Sequence, residues 1–267
     1  MGNESYRVYT DQNREAWNRM AALRRSLVKP PEFFASGGCT LEDFEIDLMG
    51  PVQGKRMLHL QCASGNETLS WAGQGATVVG VDISDVAIEI AREQARASGL
   101  KVEFVAADVY DLPNQLLSGS FDLVYASWGV TCWLPDLRGW AEVVAACLKA
   151  GGTFMLAEHH PLWEITVLTD HGFNVTHSYF GRSTPLVGVG DSSKAPSGTP
   201  LQDDRVNFLW PLGDVVTALI QAGLTIRRLE ERASPEMYVS AMRDPRAGVE
   251  QAASWLPAVY VVIADKG

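Results

Sequence analysis

The sequence predicts an α/β fold with a doubly wound, mostly parallel sheet of seven strands. Four strand–helix units follow one another between Met57 and Glu158, and successive units of this kind form parallel strands joined by right-handed crossovers. Two further apolar strands are predicted at Leu224–Leu229 and Ala258–Ala264. Because no room for a crossover helix follows the last strand, we expect these two strands to form an antiparallel hairpin at the C-terminal edge.

The stretch from Met57 to Ser84 has the pattern of a ligand-binding edge in such a sheet. An apolar strand runs into Ala63, Ser64 and Gly65, where a backbone without bulk allows a ligand to approach closely. A helix begins there, and its N-terminal amides favour polar or anionic ligand groups. The next strand leads to Asp82, seventeen residues after Gly65, where a carboxylate suits hydrogen bonding to ribose hydroxyls. This stretch therefore predicts a site for a nucleotide-like ligand.

The other units continue the same alternation of strands and helices. Ser84 is the predicted N-cap of a helix that ends near Gly99. Asp108 follows the next strand, at the edge of the sheet where Asp82 lies. The remaining predicted elements are the strands Val102–Ala106, Phe121–Val130 (polar from Ser127) and Thr153–Glu158, the helix Leu137–Leu148 closed by Gly151 and Gly152, and the helix Leu212–Ala222 closed by Gly223.

The segments around this core follow other patterns. A helix is predicted over Asn13–Leu27, then an aromatic loop at Phe33 and Phe34, then a helix over Leu41–Met49. We expect one domain, 1–267, in which residues 1–52 form a helical lid over the ligand site or, alternatively, a packed flank. Residues 159–210 are rich in aromatic residues and histidine and contain a Gly/Ser/Pro-rich loop, so we expect them to form an inserted substrate cap.

Composition argues against several classes of partner. The net charge is −10 and the isoelectric point about 5.0, so the phosphates of nucleic acid or anionic lipid are repelled on average. The four cysteines lack the spacing of a zinc site or a disulfide framework. The N-terminus does not resemble a leader peptide, and no apolar run reaches the roughly 18 residues of a spanning helix. We therefore expect a cytoplasmic protein, monomeric or homodimeric, without nucleic-acid or membrane partners.

A series of short motifs occurs in the same order as in one known family. The motifs are His59–Cys62, Gly80–Ser84, Ala107–Val109, Phe121–Tyr125, Trp133–Leu137 and Leu148–Gly152. In these motifs the chain resembles the class I S-adenosylmethionine-dependent methyltransferases, and most closely a bacterial small-molecule branch whose first motif runs His-Leu-Gln-Cys. The resemblance covers nearly the whole chain except residues 171–204. It implies a Rossmann-like fold and S-adenosylmethionine as cofactor, with S-adenosylhomocysteine as product.

The resemblance also implies roles for individual residues. Gly65 permits close approach of the cofactor, Asp82 takes the ribose hydroxyls, Asp108 takes the adenine amino group, and Ser127 lies over the methionine portion. Asp111 lies close to Asp108 in sequence and is an alternative to it. The full implied set of cofactor-binding residues is Trp17, His59, Gln61, Cys62, Ala63, Gly65, Thr68, Leu69, Asp82, Ile83, Asp108, Val109, Ser127 and Trp128.

The first motif departs from the general pattern of that family. His59 stands where an acidic residue is usual, Gln61 and Ala63 replace two glycines, and only Gly65 remains. The His59 and Gln61 departures are familiar in the branch, so they leave the expected cofactor unchanged. The loss of glycine argues against a nicotinamide-dependent dehydrogenase, because a dinucleotide pyrophosphate needs a close backbone approach.

Three tryptophans have two alternative roles. Trp128 and Trp133 follow the fourth strand, and Trp17 lies on the first predicted helix. An aromatic face near a sulfonium contributes roughly 0.5 to 2 kcal/mol of cation–π attraction. Tryptophans at such positions also serve simply as core or cavity wall, and the sequence leaves both roles open.

His159 and His160 are the candidate catalytic residues. They follow the fifth strand at the ligand-binding edge, and unperturbed histidine titrates near neutral pH. Glu158, His160 and Pro161 match a Glu-x-His-Pro pattern of the branch. Neighbouring side chains on an extended segment point in opposite directions, so we expect only one histidine to face the cleft, and a structural role is the alternative for His160. No metal is predicted, because His171 and the nearby His177 lack a third ligand.

These observations together predict methyl transfer from S-adenosylmethionine to a small-molecule metabolite, preferably at oxygen or nitrogen. Such a transfer is an in-line displacement, so the protein must mainly align the reactants in a site without water, with a histidine as candidate general base. Two alternatives remain at this stage. One is an isomerase or cyclase of the same fold that binds the cofactor without methyl transfer, and the other is a non-catalytic cofactor-binding protein.

Overall fold

The computed structural model describes residues 4–169, 172–188, 204–234, 237 and 253–267. The helices are α1 (Glu4–Arg24), α2 (Pro31–Ala35), α3 (Asp43–Met49), α4 (Asn66–Gly73), α5 (Asp85–Ser98), α6 (Leu137–Cys147), α7 (Pro161–Ile165) and α8 (Leu212–Gln221). The strands are β1 (Arg56–Leu60), β2 (Thr77–Asp82), β3 (Glu103–Ala106), β4 (Phe121–Ser127), β5 (Leu148–His159), β6 (Thr166–Thr169), β7 (Gly172–Val175), β8 (Arg182–Val187), β9 (Val206–Leu209), β10 (Leu224–Arg232) and β11 (Val259–Lys266).

Seven of these strands form one sheet, in the order β10-β11-β5-β4-β1-β2-β3. The strands from β3 to β5 run parallel to their neighbours, whereas β11 is antiparallel to both β5 and β10. The predicted doubly wound sheet with an antiparallel C-terminal hairpin is confirmed. The last strand of the chain lies between β10 and β5, so β10 forms the edge.

The sheet is buried on both faces, as expected for parallel strands covered by helices. Successive residues of β1 point to opposite sides: Met57 packs in a cluster with Trp71 of α4, and Leu58 packs in a cluster with Trp140 of α6. Both tryptophans are almost completely buried. This two-sided burial explains why the central strands are continuous apolar runs.

Three element boundaries differ from the prediction. The first helix begins at Glu4, upstream of Asn13. The predicted aromatic loop contains α2, because Pro31 takes the first helical position, which needs no free N–H. The helix α6 does not close on the two glycines: Leu148 is already extended, and Gly151 and Gly152 lie inside β5.

The insertion after β5 forms a short helix, α7, and two antiparallel hairpins, β6-β7 and β8-β9. The Gly/Ser/Pro-rich loop and His171 lie outside the described residues. In the described part of the chain, every helix is too short or too polar to cross a membrane. Nor do the described His, Cys, Asp and Glu side chains gather in a group of three that could hold a metal ion.

Candidate functional site

A cavity of about 360 Å³ lies at the carboxyl ends of the parallel strands. The segments after β1, β2, β3 and β4 line it, and α1 covers it from one side. The cavity lies where the chain order reverses, because β1 has β2 on one side and β4 on the other. Open α/β sheets bind ligands at this point, and the volume is in the range of small-molecule sites.

Asp82 joins the first two strands at the cavity wall. Its Oδ2 accepts a hydrogen bond from the backbone N–H of Ala63 at 2.8 Å, and its Oδ1 accepts one from Ser84 at 2.8 Å. Burial raises the pKa of this carboxyl, and backbone N–H groups partly offset the rise. Each carboxylate oxygen has a second acceptor position, so Asp82 retains the capacity to bind ligand hydroxyls.

Asp108 lines the cavity after the next strand, β3. Its Oδ1 accepts a hydrogen bond from the N–H of Tyr110 at 3.0 Å. The alternative residue, Asp111, has a side chain that is 74% exposed, forms an ion pair with Arg7 and does not line the cavity. The geometry therefore favours Asp108 over Asp111 as the ligand-binding carboxylate at this end.

The turn after β1 keeps the conformation of a glycine turn although two glycines are missing. Gln61 has φ 56°, Ala63 has φ 47° and Gly65 has φ 81°. A Cβ at Gly65 would lie 2.8 Å from the ring of Phe104, which explains why glycine is retained there. The left-handed conformation costs a non-glycine residue roughly 1 to 2 kcal/mol. The side chains of Gln61 and Ala63 consequently line the cavity.

The amide of Gln61 presents an unpaired acceptor. Its Nε2 donates to the carbonyl oxygen of Val130 at 3.0 Å, which fixes the orientation of the amide because a carbonyl only accepts. The Oε1 is buried and has no hydrogen-bond partner within the described chain. An unpaired buried acceptor in a cavity wall fits a ligand that donates a hydrogen bond.

His59 is neutral under ordinary conditions. Its Nδ1 lies 2.8 Å from Oγ1 of Thr68, and its ring packs 4.8 Å from that of Tyr125. Burial lowers its pKa to about 3. The residue at the position where the family usually has an acid therefore supplies no charge to the cavity.

Glu158 organises the loop after β4, a role that the sequence did not reveal. Its carboxylate accepts hydrogen bonds from the backbone N–H groups of Gly129, Val130, Thr131 and His159, at 2.6 to 2.8 Å. The side chain is 1% exposed. This carboxylate holds the cavity-lining loop in one conformation.

The tryptophans form a wall of the cavity. Trp17 and Trp133 meet edge to face at 5.0 Å, and the guanidinium of Arg205 lies 5.1 Å from one ring and 5.4 Å from the other. Because a protein cation already occupies a face of both rings, the wall interpretation is favoured for these two. Trp128 has φ 60°, and its ring lies 5.9 Å from that of His159. For Trp128 both roles, cation–π partner and cavity wall, remain open.

Eleven of the fourteen predicted cofactor-binding residues line the cavity. The three exceptions support it from behind. Gly65 begins α4, Thr68 contacts His59, and Leu69 is completely buried with Phe104 in the core beneath the turn. Thr68 and Leu69 do not line the cavity, because both side chains are completely buried behind α4.

The cavity also contains residues that the sequence interpretation missed. Glu67 lies in the first turn of α4, next to the predicted motif. On α1, the spacing of Trp17, Met20 and Arg24 indicated a single helical face, and the cavity-lining residues Thr10 and Asn13 extend the same face by three- and four-residue steps. Thr10 and Asn13 could have been predicted from this helical periodicity.

The two candidate histidines have different environments, and neither lines the cavity. His160 is the N-cap of α7: its Nδ1 accepts from the N–H of Leu162 at 3.1 Å, which leaves the proton on Nε2, 2.9 Å from Glu231. Burial lowers the pKa of His160. Both ring nitrogens are engaged, so His160 has no free lone pair for proton abstraction. The geometry assigns it a structural role, contrary to the catalytic prediction.

His159 lies beside the loop that lines the cavity. Its ring is 4.7 Å from that of Trp163, and a Cβ on Gly129 would lie 3.6 Å from its Nδ1. The Nδ1 is 3.5 Å from a carboxylate oxygen of Glu164. Burial lowers its pKa, but the hydrogen bond to Glu164 and the charges of Glu158 and Glu164 outweigh this, so the pKa is raised.

Comparison with known proteins identifies the central region. Residues 58–156 match the family model described as a methyltransferase domain. The chain is 33% identical over 111 residues to a ubiquinone biosynthesis O-methyltransferase of Bordetella avium, and the match covers 40% of this chain and 43% of that protein. The chain thus spans less than half the length of this curated relative.

Solved structures share the fold over most of the chain. An S-adenosylmethionine-dependent methyltransferase from Mesorhizobium loti has a TM-score of 0.61 and 22% identity, covering 82% of this chain and 94% of its own. The [4+2]-cyclase SpnF has a TM-score of 0.55 and 19% identity, covering 93% and 95%. Residues 58–156 thus match a methyltransferase domain, and most of the chain shares the fold of these solved structures.

Proposed function

We propose that this protein transfers a methyl group from S-adenosylmethionine to the oxygen or nitrogen of a small molecule. The observation that carries the proposal is the pair of carboxylates, Asp82 and Asp108, which follow adjacent strands and line one cavity. Asp82 would hold the ribose hydroxyls and Asp108 the adenine amino group. When bound, the cofactor supplies a methyl group on a positively charged sulfur. The O-methyltransferase name of the Bordetella avium relative favours oxygen as the acceptor.

The cavity walls suit a ligand of this kind. Ser127 and Gln61 lie at the end formed by β4 and β1, where they would contact the methionine portion, and the unpaired Oε1 of Gln61 fits a donor there. Trp17 and its neighbours on α1 cover the opening, which agrees with a lid. Exclusion of water by this helix would favour the displacement, because the reacting groups lose competing solvent contacts.

The acceptor would bind beyond Trp128, beneath the inserted cap. Phe44, Trp128, Trp163 and Phe173 pack around a small apolar cluster there. Because these four rings are only partly buried, they suit an aromatic or apolar acceptor. His159 lies among these rings and is the remaining candidate base, because its Nδ1 faces Glu164 and an acceptor proton would go to Nε2.

The experiment is a turnover assay with S-adenosylmethionine and a panel of small phenols, hydroxy acids and amines, with S-adenosylhomocysteine as the measured product. We expect product in the wild-type protein and, with His159→Gln, a loss of about 10²-fold or more in kcat. Only neutral imidazole accepts a proton, and its pKa is raised, so the wild-type rate should increase with pH through a midpoint above 6.5. His177→Gln is the control, because the Nδ1 of His177 lies 2.9 Å from the hydroxyl of the adjacent Thr176 rather than beside a carboxylate. Unchanged kcat in His159→Gln would remove the general base from the proposal.

A cyclase or isomerase is the second candidate, favoured by the shared fold of SpnF. Such an enzyme would bind the cofactor and convert its substrate without forming S-adenosylhomocysteine. Parallel measurement of substrate consumption and S-adenosylhomocysteine separates the two: equal amounts support methyl transfer, and consumption without S-adenosylhomocysteine supports the second candidate.

A further inference from the structure

Glu67 is a partly buried carboxylate of the cavity for which the contacts proposed above provide no role. It lies in the first turn of α4 and lines the cavity. Burial raises its pKa, and hydrogen bonds from its own backbone N–H and from Thr40 offset only part of the rise. No Lys or Arg in the described ranges contributes to its environment. A carboxylate held away from water without a cation is costly unless a ligand supplies the opposite charge.

The charges of the cavity wall do not balance. Three carboxylates line it, those of Glu67, Asp82 and Asp108. Two guanidinium groups oppose them, that of Arg24 in the lining and that of Arg205 beside the wall tryptophans. His59 adds nothing, because its pKa is about 3. The described lining therefore has an excess of negative charge, which favours a ligand with at least one cationic centre.

The neighbours of Glu67 show at which end of the cavity this carboxylate lies. Its charge acts on Tyr125 of β4 and on Glu45, which hydrogen-bonds to Tyr125. Asp82 and Asp108 lie at the ends of β2 and β3, on the other side. The unpaired Oε1 of Gln61 belongs to the same turn after β1. A carboxylate and an unpaired amide oxygen are thus available at one end, and both accept hydrogen bonds from a cation.

We propose that Glu67, assisted by Gln61, is the counter-charge for the cationic end of the bound cofactor. This inference rests on the proposed function, because S-adenosylmethionine carries two cationic centres at its methionine end, an ammonium and a sulfonium. The adenosine part is neutral and is served by the other two carboxylates. Glu67 would thus replace the acidic residue that is usual in the family at the position of His59.

The test is calorimetric titration of the wild-type protein and of Glu67→Gln with three ligands. S-Adenosylmethionine carries both cationic centres, S-adenosylhomocysteine keeps only the ammonium, and 5′-methylthioadenosine keeps neither. We expect Glu67→Gln to weaken S-adenosylmethionine about tenfold or more and to change 5′-methylthioadenosine less than about twofold. Glu103→Gln is the matched control, since Glu103 is an exposed glutamate at the start of β3.

The affinity of Glu67→Gln for S-adenosylhomocysteine shows which of the two cationic groups is the partner of Glu67. An equal loss for this ligand identifies the ammonium as the partner of Glu67, and no loss identifies the sulfonium; both outcomes support a counter-charge. Equal losses for all three ligands, or no loss for any, would overturn it. Thermal unfolding of Glu67→Gln and of Glu67→Ala checks that the variants are folded, and whichever variant folds is titrated. If the wild-type protein binds none of the three ligands, the proposed function itself fails.

Discussion

At the scale of single residues, the cavity is the place where the backbone is strained. Among described residues, Gln61, Ala63, Trp128 and Arg182 are the non-glycine residues with positive φ, and the first three line the cavity. Each costs roughly 1 to 3 kcal/mol unless the surroundings hold it in place. Such strain at a ligand-binding turn indicates that the position of these side chains is selected for something other than stability.

Glu158 is the residue that holds the strained loop after β4, so its charge should matter for stability. Glu158→Gln removes a charge that accepts four backbone hydrogen bonds and turns one acceptor into a donor facing N–H groups. We expect the free energy of unfolding to fall by about 2 to 4 kcal/mol. Urea denaturation measures it.

The control for that change is Glu142→Gln. Glu142 forms an exposed pair with Arg138 on α6, so its loss should alter the free energy of unfolding by about 0.5 kcal/mol or less. If both variants had the same stability, the four hydrogen bonds of Glu158 would be energetically unimportant.

Some residue roles were predictable and others were not. Asp82 and Asp108 could be expected at one edge, because parallel strands end there together. The role of His160 had a local signal, since Pro161 favours the first helical position and so makes the preceding residue an N-cap. Glu158 had none, because three of its four partners, in the loop after β4, become its neighbours only when β4 and β5 pair.

At the scale of secondary-structure elements, α1 connects the inserted cap to the sheet. Asn13 donates to the carbonyl of Val206 at 2.9 Å and accepts from its N–H at 2.7 Å, as a neighbouring strand would. Asn18 accepts hydrogen bonds from Ser84 and Val86 at the start of α5. The helix is therefore hydrogen-bonded at two points, to β9 of the insertion and to the start of α5.

Asn13→Ala tests this connection. Loss of two buried hydrogen bonds should weaken the attachment of α1 to the insertion by about 1 to 3 kcal/mol, without disturbing the sheet. We expect hydrogen exchange, followed by mass spectrometry, to become faster in α1 while β1 and β4 remain protected. Asn114→Ala, at an exposed position, is the control. Faster exchange throughout the sheet would instead indicate that α1 is part of the core.

The elements were predicted well where one periodicity dominates. Buried strands and the amphipathic α5 and α8 have clear patterns, and their bounds agree with the structure to within a few residues. The hairpins β6-β7 and β8-β9 were not predicted, because their exposed side chains, such as Val175 and Val187, give no alternation of apolar and polar residues.

At the scale of the whole molecule, the chain order of the sheet determines where chemistry is possible. The reversal between β1 and β4 opens the cavity, and the insertion follows β5, the strand next to β4. The place of β11 between β5 and β10 could not be read from the sequence, because an apolar terminal strand pairs equally well at an edge or inside. The cavity-lining residues at the ends of the parallel strands were therefore predictable, and the structure of the insertion was not.

The central claim is that the cavity binds an adenosyl cofactor through the carboxylate that follows β2. The most direct measurement is calorimetric titration of S-adenosylhomocysteine into the wild-type protein, Asp82→Asn and the control Asp111→Asn. The account predicts one site in the wild-type protein, a loss of affinity of about tenfold or more in Asp82→Asn, and no change in Asp111→Asn. Equal affinity in the wild-type protein and Asp82→Asn would contradict it.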